Sequence, residues 1–333
     1  MQQSCVSEIR SLPSRVPALF DAPTAAPVPA RTPPPYEVIV VGGSYAGLAA
    51  ALTLGRSLHR VIVVVSGKPA NRFAPAAHNV THDGRPPGEI ARLARQDLDA
   101  YPTVEFVAAT AREASRRNGR FAVGLDTGVT LEADTLTFAT GMRDVLPDLP
   151  GYRACWGRSV IHCPYCHGYE YAGRPTGILT NGEEALDFLR LVAHWTDDVT
   201  LLTDGPARFD VAEAEAAGAV VVESPLAALA HREGHLTHAT FADREPLPLA
   251  ALYHRPAAEQ HCSLPAALGC DLTAAGHLAV DATQATSASG IYAAGDCTTP
   301  FRSVAVATAQ GTVAGAMLNH ALLAPLAYAH AGA

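Results

Sequence analysis

Four consecutive apolar residues, Val38 to Val41, open the first readable pattern in the chain. An unbroken apolar run predicts a strand buried on both faces, as in a parallel sheet. In "YEVIVVGGSYAGLAAALTLGRSLHRVIVVVSG" the run leads into a glycine-rich turn, an Ala/Leu-rich helix and the β-branched run Val61 to Val65. That order is a βαβ unit. "TLEADTLTFATGM" adds a strand that closes on Thr140-Gly141. A second βαβ pattern follows in "TGILTNGEEALDFLRLVAHWTDDVTLLTDG". Near the end, "SGIYAAGDCTTPFRSVAVATAQGTVAGAMLNHAL" reads as a strand, a Gly-Asp turn, a loop and a long helix of small residues. Two Rossmann-like units predict an α/β chain with two nucleotide-type domains.

Residues 1–35 break the pattern. The stretch "VPALFDAPTAAPVPARTPPPYE" is rich in Pro and Ala and has no period. It cannot bury enough surface to offset its ordering entropy, so a disordered leader is expected. It also lacks the unbroken apolar core of a signal peptide, which makes a cytoplasmic location the expectation. Of the 333 residues, 48% are hydrophobic and 17% charged, enough for a sizeable core. A net charge of -8 without any basic run argues against a nucleic-acid partner, since phosphate binding needs clustered Lys and Arg. No apolar stretch approaches the roughly 20 residues of a membrane span. Seven cysteines make an odd number in a long chain, which disfavours a structural disulfide framework. Cys5, Cys155, Cys262, Cys270 and Cys297 read as reduced and packed.

Two short stretches carry candidate chemistry. The first, Gly42-Gly43-Ser44-Tyr45-Ala46-Gly47, approximates G-x-G-x-x-G between a strand and a helix. Gly42 permits the tight turn and Gly47 lets the helix pack on the strand. Ser44 replaces the middle glycine and narrows the approach of a pyrophosphate, though its hydroxyl can donate to phosphate. The next strand ends in Val65-Ser66, without the acid that normally meets a ribose.

The second stretch, "HCPYCHGYE", spans His162 to Glu170. Its chemistry has three readings. A structural zinc site needs four ligands, and Cys262 and Cys270 make a poor second pair. Cys163-Pro164-Tyr165-Cys166-His167 satisfies C-x-x-C-H, but covalent haem attachment needs export. The remaining reading is a redox dithiol. Two intervening residues let the sulfurs reach bonding distance across a tight turn that Pro164 stiffens. His162 and His167 are candidate acid–base groups, because imidazole titrates near neutral pH.

Taken together, "VVGGSYAGLAAAL", "ATGM", "CPYC" and "GIYAAGDCTTPFRSVAVATAQG" resemble the thioredoxin-reductase-like flavoproteins over nearly everything after the leader. Within that family "CPYCHGYE" is similar to the branch holding the dithiol oxidases of gliotoxin- and holomycin-type metabolites. The resemblance implies two Rossmann-like, three-layer α/β domains. A discontinuous FAD domain is expected over 36–148 and 252–333, and a middle domain carrying the CxxC over 149–251. It also implies non-covalent FAD, with Gly42, Gly43, Ser44, Ala46, Gly47, Gly295 and Asp296 as contacts. Cys166 is then the thiolate facing the flavin, Cys163 the outer interchange thiol, and a homodimer is expected.

An ordinary member takes hydride from NADPH at a second glycine fingerprint. Here the matching turn is Thr180-Asn181-Gly182-Glu183-Glu184-Ala185, with one glycine and two acids where a pyrophosphate binds. After the next strand, "TDGPAR" holds no basic cluster. The expectation is therefore a thiol–disulfide oxidoreductase with weak or no NADPH use, acting on a small-molecule or small-protein dithiol or disulfide. Oxygen or a protein electron donor would be its redox partner. The competing readings are an NADPH-dependent thioredoxin reductase and a non-catalytic flavin redox sensor.

Overall fold

A computed structural model describes residues 36–330, with side chains as far as Leu323. The expected leader and Cys5 lie outside this range. The chain begins with β1 (Tyr36–Val41), α1 (Tyr45–Arg56) and β2 (Val61–Val65). Then come α2 (Pro87–Leu98), β3 (Val104–Ala108), β4 (Ala111–Arg117), β5 (Arg120–Leu125) and β6 (Thr130–Phe138). These strands order as β3-β2-β1-β6-β5-β4, with the late strand Ile291–Ala293 also paired to β6. The β1–β2, β1–β6 and β2–β3 pairs are parallel, and the β4-β5-β6 meander is antiparallel.

β1 behaves as its sequence predicts. Val38 and Val40 pack with α1 residues Leu48 and Leu54, while Ile39 and Val41 pack on the opposite face with Phe121, Leu136 and Phe138. All four are buried, and each such side chain contributes about 1.5–3 kcal/mol. The alternation is invisible in sequence because both faces are dry.

The chain then passes through β7 (Met142–Asp144) and α3 (Tyr152–Cys155) to β8 (Val160–Ile161) and α4 (Pro164–His167). A second parallel sheet is built from β9 (Thr176–Leu179), α5 (Glu184–Val192), β10 (Val199–Leu202), α6 (Val211–Ala216) and β11 (Val220–Val222). The hairpin β12 (Leu226–Arg232) and β13 (His235–Phe241) pairs with β14 (Leu247–Pro248) as a separate antiparallel sheet. Next come β15 (Ala251–His254) and β16 (Ala258–Gln260). The second sheet orders as β11-β10-β9-β15-β8. β15 lies in it beside β8 and β9, so the expected domain join at 251/252 falls inside a strand. The chain crosses between the two sheets at β7 and β16, which pair with each other.

The chain returns through α7 (Leu264–Ala267) and β17 (Ile291–Ala293) to α8 (Val304–His330). α8 lies against α1 because both faces are small. A Cβ on Gly311 would sit 2.1 Å from the Ala46 carbonyl oxygen, so only glycine allows that approach. Cys155, Cys270 and Cys297 are buried, Cys262 is half-buried, and all four are free thiols. No helix among the described residues is long and apolar enough to cross a membrane.

Candidate active site

The glycine turn between β1 and α1 is built for close approach. A Cβ on Gly47 would lie 1.8 Å from the Gly42 carbonyl oxygen, and one on Gly43 would meet the Val65 side chain at 2.4 Å. Ser44 is the α1 N-cap, but its hydroxyl makes no capping bond. The first turn of α1 holds no acid. Its leading N–H groups, which have no acceptor within a helix, are left for an anion.

The Gly-Asp turn after β17 comes to the same place. A Cβ on Gly295 would lie 2.9 Å from the Cβ of Ala46, and the Gly295 amide donates to Gln310 Oε1 at 2.9 Å. Tertiary structure thus joins two segments from opposite ends of the chain. The Thr140 hydroxyl, at the end of β6, is buried without a partner. Asp296 is half-buried beside Arg302, whose Nε lies 3.5 Å from Asp296 Oδ2. Burial pushes the Asp296 carboxyl above the usual carboxylate range, against the pull of Arg302.

Arg302 also donates to Asp144 on β7, from Nη1 at 2.6 Å and Nη2 at 3.3 Å. This ties the Gly-Asp turn to a strand that crosses between the two sheets. Nothing in the sequence spacing points to the pair.

Cys163 and Cys166 are joined as a disulfide, with Cα atoms 5.3 Å apart. Cys163 caps α4, a single turn with Pro164 in its first position, and the Cys166 amide donates to Cys163 O at 3.2 Å. A helix of one turn holds the geometry but adds little dipole. Tyr165 leans edge-on against Trp195, with ring centroids 5.8 Å apart.

The histidines beside the pair differ. His162 is half-buried and stacks on Trp156 at 6.1 Å between ring centroids. Burial, with Arg302 adding to it, pushes His162 down to about 4, so it is neutral at physiological pH. His167 is also held below the usual imidazole range by burial, and its Nε2 has no partner. An imidazole nitrogen without a partner can accept a thiol proton.

A recess of about 180 Å³ reaches Cys166 and His167, walled by His78, Asp83, Tyr165, Tyr169 and Glu170. His78 and Asp83 come from the loop between β2 and α2, a contribution that sequence reading misses. They are far from the CxxC in the chain and sit in no recognisable motif.

The second nucleotide-type turn contrasts with the first. Glu183 caps α5, and Glu184 and Asp187 occupy the first turn. Thr180 donates to Glu184 Oε1 at 3.1 Å, and Glu184 Oε2 lies 2.7 Å from where a Gly182 Cβ would be. Asn181 donates to the Thr203 and Pro206 carbonyls at 3.0 and 2.9 Å and accepts from the Arg208 amide at 2.8 Å. The turn is closed by its own side chains.

The sequence matches the pyridine nucleotide-disulphide oxidoreductase family over residues 36–220 and 256–311. The chain belongs to this family. It is 29% identical to thioredoxin reductase sirT of Leptosphaeria maculans, across 87% of this chain and 95% of that protein. The crystal structure of HlmI superposes with a TM-score of 0.84 at 32% identity, covering 89% of this chain and 95% of HlmI. An oxidoreductase from Agrobacterium tumefaciens superposes at 0.81 with 34% identity, covering 87% and 99%. The chain is an FAD-dependent oxidoreductase of thioredoxin-reductase type, with the two Rossmann-like units expected from its sequence. The first glycine turn fits the FAD: its helix start is free of acid, and the buried Thr140 hydroxyl lacks a partner.

Proposed function

We propose that this chain exchanges two electrons with a dithiol or disulfide through Cys163 and Cys166, and that its flavin turns over with oxygen or a protein donor rather than NADPH. The observation that carries the reading is the contrast between the two helix starts. α1 opens without an acid, whereas α5 opens with Glu184 folded over the turn and Asp187 behind it. A pyrophosphate at α5 would meet carboxylate charge where it needs free N–H groups.

FAD when bound supplies the two-electron store. Gly42, Gly43, Ser44, Ala46 and Gly47 would hold its phosphates, and Gly295 and Asp296 would hold its flavin side. In the oxidative direction a substrate thiolate attacks Cys163, and the Cys163–Cys166 bond breaks. Cys166 leaves as the thiolate, and His167 takes the thiol proton. A second substrate thiol then releases Cys163. The reverse order reduces a disulfide. The substrate is a small-molecule or small-protein dithiol or disulfide.

The name of sirT supports a second reading, an NADPH-dependent thioredoxin reductase. One anaerobic experiment separates them. Dithiothreitol should bleach the flavin band near ~450 nm readily, while NADPH should bleach it slowly or not at all. Rapid, saturable bleaching by micromolar NADPH would establish the second reading.

A further inference from the structure

Dithiol chemistry releases two protons for every two electrons passed on, and the recess beside Cys166 holds a chain of groups able to carry them. The inference rests on the dithiol reading above. The Nε2 of His167 has no partner, and burial holds the ring below the usual imidazole range. His78 faces it edge-on, with ring centroids 6.3 Å apart and planes at 81°. His78 in turn lies between two carboxylates. Its Nδ1 is 3.1 Å from Asp83 Oδ2, and its Nε2 is 3.4 Å from Glu170 Oε1.

The loop that supplies His78 is held in place by Asp83. The Asn79 amide donates to Asp83 Oδ1 at 2.6 Å, and the bond to His78 holds the Asp83 carboxyl below the usual carboxylate range. Asn79 and His82 both adopt left-handed backbone, at φ 56° and 67°. Non-glycine residues in that region cluster where function dictates geometry. Glu170 arrives from the other sheet's side, two residues beyond Gly168 and three beyond His167. The exposed Tyr165 and Tyr169 complete the rim of the recess.

We infer that His78 is a positioning and relay residue, which takes the proton from His167 and passes it by way of Asp83 and Glu170 to solvent. In the first exchange the substrate S–H proton moves to His167. A bond forms between the substrate sulfur and Cys163, and the Cys163–Cys166 bond breaks, leaving Cys166 as thiolate. The separation of the two rings suits transfer through one bridging water. The second substrate thiol gives up its proton by the same route as the substrate disulfide closes. The substrate loses two electrons and two protons, the cysteine pair gains the two electrons, and His78 returns to its starting state.

The test uses the FAD-loaded full chain, with His78→Asn and His78→Gln. Positioned acid–base groups contribute about 10²–10⁴-fold, so a residue acting through another is expected to matter about ten- to a hundredfold. Anaerobic bleaching by dithiothreitol should slow by that factor near pH ~7. Added imidazole should restore much of the rate in the variants and leave wild type unchanged. The pH profile of bleaching should change shape. Alkylation of the reduced cysteines by iodoacetamide should slow in parallel and recover with imidazole. Melting temperatures should stay at the wild-type value. Equal rates and profiles in wild type and variants would overturn the inference. So would slowed rates that imidazole does not restore, which mark a structural role. If dithiothreitol fails to bleach the wild type, the dithiol reading itself falls; if wild type bleaches and His78→Asn matches it, only this inference falls.

Discussion

Replacing Arg302 by Met should destabilise the fold sharply, and more at neutral than at mildly acidic pH. Its guanidinium meets Asp144 at 2.6 Å and Asp296 at 3.5 Å, and the three side chains are 15%, 11% and 21% exposed. Methionine preserves most of the volume and removes the charge. Two enclosed carboxylates then lack their cation. Breaking a buried pair by deleting one partner costs about 3–5 kcal/mol. For a chain of this size, roughly 2 °C of melting temperature follows each kcal/mol, so a fall of about 6–10 °C is expected. The pH dependence follows from Asp296, whose carboxyl burial already raises. A carboxyl with a folded pKa above its unfolded value binds more protons when folded, so acidification favours the folded state in that window. Losing Arg302 widens the window. The deficit relative to wild type should therefore shrink as the pH falls from neutrality towards the ordinary carboxylate range. Asp144→Asn should cost less, because Arg302 keeps Asp296. Thermal melting followed by intrinsic tryptophan fluorescence with FAD in excess measures both. A fall below ~2 °C, or a deficit that does not narrow with acid, would refute the account of an enclosed, charge-compensated cluster.

Two further outcomes follow from the site. Cys163→Ser should leave Cys166 as a thiolate beside oxidised flavin and produce a long-wavelength charge-transfer absorbance; Cys166→Ser should not, and both should lose dithiol turnover. Full turnover in the double serine variant would dispose of the cysteine mechanism. Gly47→Ala should abolish retention of FAD on purification, because its Cβ would lie 1.8 Å from the Gly42 carbonyl oxygen. A variant that carries stoichiometric flavin after gel filtration would contradict the close approach of turn and helix.

Local patterns settled the parts of this protein whose partners lie nearby in the chain. β1, α1 and β2 are legible because Val38–Val41 and Val61–Val65 are apolar without interruption, as strands dry on both faces must be. The cysteine pair is legible because its geometry lies within four residues, and the acids of α5 because they belong to one turn. β4 is different. Its sequence, AREASRR, shows no apolar face, and only its antiparallel pairing with β5 makes it a strand. β15 joined the second sheet only through backbone bonds to β8 and β9. The contact of Gly295 with Ala46, the clasp of Arg302 on Asp144, and the meeting of His78 with Glu170 and His167 all join residues far apart in the chain. Charge and burial act through distance in space, so groups that define each other's chemistry need share no spacing. The sequence by itself determined the close pairing of Cys163 and Cys166; the fold decided which acids, bases and cations stand around it.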